Sequence, residues 1–496
     1  MIFSSLLFIF AFLPIVWVIF HCLKSKYVTS SKIFLIVASL FFYGFWKLSY
    51  LPILVASILV NFLLAFLILY SPFLKKHIKP KFYLVFGIVF NLALLGYFKY
   101  TNFIIENINI FSNTYIDFEP ILLPLALSFV TFQQIAFLLD CYHQTKDNKN
   151  NFNLNFLDYA LFISFFPQLI AGPIVHHKEM MPQFSHLKSG ILWDYVAKGI
   201  FIFCIGLFKK IVIADRFANC ANAGFKYVEA GNIFFNITEA WATSLSYTFQ
   251  LYFDFSGYCD MAIGLGLMFG IMLPINFNSP YQSLNISEFW RRWHITLGRF
   301  FKECLYIPLG GNKVNKLLEC RNLFIVAFLS GIWHGAGWGF IIWGILHGCA
   351  MIIHRIYSWN FKSFIQKNKN KKIYKFFCWF LTFNFINIAW VFFRAENIQA
   401  AFSILKSMFG LALIPMPTEW HLLFPHIHSA NYAPGRFIFF LILITMLCVI
   451  SKNSIQKLKN FKPHNFYLVF SIILFIWSFR NLLLQSSYTA FIYFNF

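Results

Sequence analysis

The chain has 496 residues, of which 59% are hydrophobic and only 12% charged, with 69 phenylalanines and a mean hydropathy of +0.66. A soluble globular chain carries about 25% charged residues, so this one has about half the usual supply of water-facing side chains and reads as an all-α polytopic membrane protein. The 40 Lys and Arg against 18 Asp and Glu, a formal charge of +22, do not point to nucleic acid, because the lysines cluster in short gaps between apolar runs, where they set topology and meet anionic membrane lipids.

Ten cysteines stand singly, with no CxxC pair and no metal-ligand spacing; they read as small core residues or free thiols, and no metal is expected. A spanning helix needs about 20 mostly apolar residues, and gaps rich in Lys and Arg stay on the cytoplasmic side. The first apolar run, 2–20, lacks a basic region before it and a small-residue cleavage site after it, and reads as a retained span. The next gap carries Lys24, Lys26 and Lys32, and "SPFLKKHIKPK" carries Lys75, Lys76, Lys79 and Lys81. Two spans fit between them, 33–46 and 51–71, which puts the N-terminus outside. "TNFIIENINIFSNTYIDFEP" then falls outside and "HQTKDNKNN" inside. "FLDYALFISFFPQLIAGPI" has basic flanks on both sides and reads as re-entrant; such backbone is tolerated at membrane depth only where protein or a water-filled cavity surrounds it.

A clear span covers 193–214, after which the region around Asp215 and Glu229 is expected outside. The apolar stretch 233–273 is too long for one helix. In it Gly266 and Gly270 form a GxxxG packing spacing, and Asp254 and Asp260 either hold a helix break by hydrogen bonding or serve the function. Beyond a strongly basic region, "NFKSFIQKNKNKKIYK" is cytoplasmic, 377–393 crosses outward and 436–450 returns. The loop with Lys452, Lys457, Lys459 and Lys462 is cytoplasmic, and 467–484 leaves the C-terminal "QSSYTAFIYFNF" outside. The expectation is one membrane-embedded domain over 1–496, with about ten or eleven crossings plus re-entrant and interfacial helices, no soluble insert and no internal repeat.

Two segments carry the candidate chemistry. In "SEFWRRWHITLGRFFKECLYIPLGGN" a helix is expected to begin at Ser287, with Trp290, Trp293, Leu297 and Phe301 on one face and Arg291, Arg292, Arg299 and Lys302 on the other. It is either an interfacial anchor or a cationic wall for a phosphorylated donor, since guanidinium forks match phosphate oxygens. In "SGIWHGAGWGFIIWG" one histidine, His334, stands among tryptophans that shape an apolar cavity and glycines that let backbone or substrate approach. Burial disfavours the charged imidazole, and the neutral form is the one that takes a proton from a hydroxyl, so the site is equipped for general-base catalysis. His294, forty residues upstream, is a candidate to meet it in space.

Together these segments, with "LPLALSFVTFQQIAFLLDCY", "FFPQLIAGPI" and "QLYFDFSGYCDMAIG", resemble the membrane-bound O-acyltransferases from about residue 30 onward. The likeness is to the bacterial branch holding the membrane subunits of alginate and peptidoglycan O-acetyltransferases and of D-alanyl teichoic-acid transfer. It implies the family's helical fold around a central funnel, with 286–348 as the catalytic signature region. His334 matches the invariant catalytic histidine and His294 the second conserved position. Where relatives tend to carry an arginine after "AGP", this chain has His176 and His177. The tail 485–496 contains "FIYF", resembling the motif of the small partner that carries the acylated tyrosine in the D-alanyl system, so Tyr493 is expected to relay acyl groups.

The resemblance further implies acetyl-CoA as donor, bound by the Arg291, Arg292, Arg299 and Lys302 face, and a bacterial inner-membrane location with both termini periplasmic. A periplasmic SGNH-hydrolase-like subunit would pass acetyl to a cell-wall or exopolysaccharide glycan. D-alanyl transfer to teichoic acid is the alternative within the class. A transporter with a histidine proton relay is the alternative outside it, against which no inverted repeat of broken helices is found.

Overall fold

A computed structural model describes residues 1–71, 79–112, 116–146, 154–170, 172–187, 189–231, 235–412, 424, 434–484 and 491–492. Among the described residues the chain is helical throughout and contains no strand. Six helices are long and apolar enough to cross a membrane: Phe8–Lys26, Leu48–Tyr70, Pro80–Ser112, Trp338–Asn360, Lys372–Arg394 and Asn465–Leu484; Val28–Gly44 and Pro434–Ile450 are apolar but shorter. Their outward faces carry bare hydrocarbon, with Ile353 67% and Phe439 68% exposed. In water such faces would drive association, whereas lipid matches them. Two compact units divide the chain.

One unit comprises Met1–Cys204, Tyr258–Pro274 and Phe461–Ser471. Buried amides tie three of its helices: Asn91 Nδ2, on Pro80–Ser112, donates to Asn61 Oδ1, on Leu51–Tyr70, at 2.6 Å, and Asn61 Nδ2 donates to Gln134 Oε1, on Leu127–Lys146, at 3.0 Å. Apolar helix faces are as content against lipid as against each other, so such hydrogen bonds select the partner. The expected re-entrant segment consists of two short buried helices, Phe156–Ser164 and Phe166–Leu169, broken at Phe165; neither is long enough to span. The departure at His176 and His177 has a local reason. The Asp140 carboxylate lies 2.8 Å from His177 Nδ1, 3.0 Å from Lys178 Nζ and 3.8 Å from His176 Nδ1, so the histidines serve as its partners.

The stretch expected to exceed one helix is in fact a single helix of 32 residues, Ile237–Met268, roughly 48 Å long at 1.5 Å per residue. No break occurs at Asp254 or Asp260. Its last carbonyl, that of Met268, accepts from Trp17 Nε1 at 3.0 Å and lies 3.0 Å from His21 Nε2, which satisfies a group that a helix end leaves open. The GxxxG expectation needs correction too. Gly270 lies past the helix end at φ +82°, a left-handed cap suited to glycine, and Gly266 faces Ile271 and Leu273 just beyond its own helix. The glycine that permits helix packing is Gly264, where a Cβ would stand 2.6 Å from the Gly199 carbonyl oxygen.

The other unit comprises Ile205–Gly257, Ile275–Asn460 and Ile472–Phe496. Helix α1 (Trp193–Phe208) runs through a π-helical stretch, Lys209–Ala214, directly into α2 (Asp215–Glu229), and α3 (Ile237–Met268) follows. Asp215 opens α2 and is buried, 3.0 Å from Lys210 Nζ. Downstream come α4 (Ile286–Arg292), α5 (Ile295–Phe301), α6 (Lys316–His334), α7 (Trp338–Asn360) and α8 (Lys372–Arg394). Helices α6 and α7 form a hairpin through an extended link at 335–337. They close on each other where a Cβ on Gly331 would meet Gly344 Cα at 2.9 Å.

Because the atom facing Gly264 is backbone and cannot swing aside, Gly264→Leu must force the two helices apart, at about 1–3 kcal/mol for overpacking. Thermal unfolding in detergent should show a midpoint several degrees lower; an unchanged midpoint would mean that the helices do not meet at Gly199.

Candidate active site

The expected continuous helix through Trp290, Trp293, Leu297 and Phe301 is broken. Asn285, not Ser287, caps α4: its side chain accepts from the Glu288 N–H at 2.8 Å, while Glu288 Oε2 accepts from the Leu284 N–H at 2.9 Å. The helix ends at Arg292, and α5 restarts at Ile295. Between them His294 takes left-handed backbone, φ +44° and ψ +52°, a conformation costly for a residue with a Cβ. The segment 276–278 pins this turn. The Asn278 N–H donates to the Arg292 carbonyl at 2.9 Å and the Ile295 N–H to the Asn276 carbonyl at 3.0 Å. Asn276 Oδ1 accepts from the Thr296 N–H at 3.2 Å and from the Thr296 hydroxyl at 2.8 Å. Trp293 and His294, periodic with a helix in sequence, thus turn inward and are buried.

His334 is the last residue of α6, 2% exposed, and its ring centre lies 6.4 Å from that of His294. The structure therefore brings the two predicted histidines together, forty positions apart in sequence. Aromatic rings enclose His334: Trp343 of α7 at 5.2 Å and Phe393 of α8 at 5.2 Å, with Trp390 stacked on Trp343 at 5.6 Å. The glycines at 331 and 344 serve the approach of α6 to α7 rather than a substrate.

A third histidine escaped the sequence reading. His347, fully buried, stacks 4.5 Å from Trp343, and its Nδ1 accepts from Trp290 Nε1 at 3.2 Å. That bond fixes the proton on Nε2, which has no hydrogen-bond partner among the described residues. The available signal was its position four residues after Trp343, on the same face of α7.

The cationic side chains divide. Arg291 and Lys302 are exposed and Arg299 is half-buried. Arg292 is committed: its guanidinium pairs with Glu288 at 2.7 Å and donates to the Asn278 carbonyl at 3.2 Å, bracing the same turn. Tyr493 lies outside the described residues. Two residues before it, Phe491 is buried with its ring 6.0 Å from Phe255, whose ring is in turn 4.9 Å from His294. No group of three or more potential metal ligands occurs among the described residues.

The fold and these contacts define a multi-pass membrane protein with a buried histidine pair in an aromatic cage. Residues 149–394 match the profile of the MBOAT, membrane-bound O-acyltransferase family. Over its whole length the chain is 45% identical to a peptidoglycan O-acetyltransferase of Helicobacter pylori, covering 98% of that protein. It is 37% identical to a probable alginate O-acetylase AlgI of Pseudomonas aeruginosa across 83% of this chain and 75% of the relative. A teichoic acid D-alanyltransferase of Streptococcus thermophilus matches at 27% over 54% of this chain and 68% of the relative. The chain belongs to the membrane-bound O-acyltransferase family and is an acyltransferase.

Asn276→Ala should unfasten the turn, because it removes the acceptor of two Thr296 donors in a buried place, where an unsatisfied donor costs about 1–3 kcal/mol. The variant is expected to insert, to unfold at lower temperature and to lose acyl-transfer turnover. Turnover at the parental rate would show that His294 is held by other means.

Proposed function

We propose that this protein O-acetylates a glycan from the bacterial inner membrane, taking acetyl from cytoplasmic acetyl-CoA and delivering it to the periplasmic face, where both termini lie. The observation that carries the reading is a chain of ring contacts: His334 neighbours His294, His294 touches Phe255, and Phe255 touches Phe491, two positions before Tyr493. These contacts support a reading in which the Tyr493 hydroxyl serves the His294 and His334 pair.

In this reading Arg291, Arg299 and Lys302 hold the phosphates of CoA, while Arg292 contributes through its brace on the turn. A phenol has an unperturbed pKa of about 10 and is almost fully protonated at pH 7, so it needs a base. Neutral His334 takes the proton from Tyr493 as the phenolic oxygen attacks the thioester carbonyl. The C–S bond breaks, CoA leaves as the thiolate and takes up the proton, and an acetyl ester is left on Tyr493. His294 lies beside the reacting carbonyl and orients it. The acetyl then moves to a hydroxyl of a periplasmic SGNH-hydrolase-like partner, and from there to the glycan, which regenerates the free tyrosine. Peptidoglycan is the acceptor favoured by the 45% relative and an alginate-like polymer by the 37% one. D-alanyl transfer has only the 27% match behind it.

General-base catalysis typically contributes about 10²- to 10⁴-fold, so His334→Ala should leave an inserted, folded protein whose acetyl transfer in vesicles is down by at least that factor. Near-parental turnover would remove His334 from the base role. Tyr493→Phe keeps the ring and deletes the hydroxyl. It should still bind acetyl-CoA yet stop delivery to the outer acceptor, and mass spectrometry should find acetyl on the C-terminal peptide of the parent and not of the variant. Full activity in the Phe variant would mean that acetyl passes directly from CoA to the partner.

A further inference from the structure

Three charged side chains meet inside the unit that holds the histidines. Lys210 Nζ lies 3.0 Å from Asp215 Oδ1 and 2.6 Å from Asp254 Oδ1, and all three residues are buried. The π-helical stretch Lys209–Ala214 makes the first pairing geometrically possible. In an α-helix residues five apart point to different sides, whereas the wider π turn, closed by i to i+5 hydrogen bonds, aligns Lys210 with Asp215. Such wide turns occur frequently at functional sites.

Buried charges are costly unless hydrogen bonds and ion pairs satisfy them. The second oxygen of Asp254 finds its partner 238 positions away: Oδ2 accepts from the backbone N–H of Ile492 at 2.8 Å. A backbone amide donating to a carboxylate is a charge-assisted bond, roughly twice as strong as a neutral one. The adjacent residue on each side adds an apolar grip, since Phe491 packs on Phe255. Asp254 and Phe255 thus hold Ile492 and Phe491, one contact polar and one apolar.

We propose that Asp254, paired with Lys210, is the docking post for Phe491 and Ile492, the residues that lead into Tyr493, and that this seat is what lets the tail serve the histidine pair. It is a positioning residue and touches no reacting atom. This inference rests on the reading of the tail as the acyl carrier, and it predicts that the tail can be released without disturbing the donor site.

The test is hydrogen–deuterium exchange of the C-terminal peptide in the full-length protein in detergent, read beside kinetics with acetyl-CoA. Ile492→Pro deletes the donor N–H and leaves the charged cluster intact, whereas Ile492→Ala keeps the N–H. Asp254→Ala removes the acceptor and leaves the Lys210–Asp215 pair in place, and Asp254→Asn keeps an acceptor oxygen. Exchange of the tail should rise about tenfold or more in Ile492→Pro and Asp254→Ala, the scale of losing a hydrogen bond to a charged group, and stay near the parental rate in Ile492→Ala and Asp254→Asn. In the two released variants kcat for acetyl delivery should fall while KM for acetyl-CoA holds. Unchanged exchange in Ile492→Pro and Asp254→Ala would overturn the docking. If exchange responds as expected while Tyr493→Phe remains fully active, the docking stands and the carrier reading falls. If Tyr493→Phe is dead and exchange is indifferent, the reverse holds.

Discussion

Backbone that leaves helical geometry at membrane depth must find every hydrogen-bond partner within the protein, because lipid offers none. The turn at Trp293 and His294 meets that requirement through 276–278, which supplies a backbone donor, a backbone acceptor and the Asn276 amide oxygen. The placement of His294 depends on this fastening. It lets His294 occupy left-handed backbone, swings Trp293 inward and uses Arg292 and Glu288 as an external brace. His334 reaches the same place by a different irregularity, the end of α6, where the chain leaves the helix along the extended link at 335–337. Two breaks in regular structure, each satisfied locally, put two imidazoles beside each other.

The same accounting explains the other polar groups inside the helices. The amides of Asn61, Asn91 and Gln134 bond to one another, and Asp140 collects His177 and Lys178. Lys210 is shared between two aspartates, one of which retains a free hand for the tail amide. Single polar residues would be expensive in this medium; grouped, they act as specific fasteners between helices whose apolar faces carry little pairing information of their own.

Composition alone made the membrane class legible, the Trp and Gly frame singled out His334, and the family resemblance added His294. What sequence could not reveal has identifiable causes. Trp290, Trp293, Leu297 and Phe301 are periodic whether or not the helix is continuous, and the residue that interrupts it, Asn276, lies 18 positions before His294 and 20 before its partner Thr296. The pairing of Asp215 with Lys210 was not legible, because the two become neighbours through a π turn that no propensity marks. The stretch 233–273 looked too long for one helix because a span was measured against about 20 residues, whereas Ile237–Met268 simply continues. His347 was invisible because one more histidine in an apolar helix carries no pattern until its neighbours are known.

The hairpin of α6 and α7 joins residues that are close in sequence, whereas the bond between Asp254 and Ile492 closes a loop of 238 positions. Local contacts form quickly and at little entropic cost, while distant ones wait for the rest of the chain. The cage around His334 and the seat of the tail therefore sit at opposite ends of the folding order. Opening runs the other way: the contact fastened by one amide and one ring detaches long before a glycine-packed hairpin does. Under mild heat or detergent stress the seat of Phe491 and Ile492 is therefore expected to open before the hairpin does, so helical content alone reports poorly on whether that seat is closed.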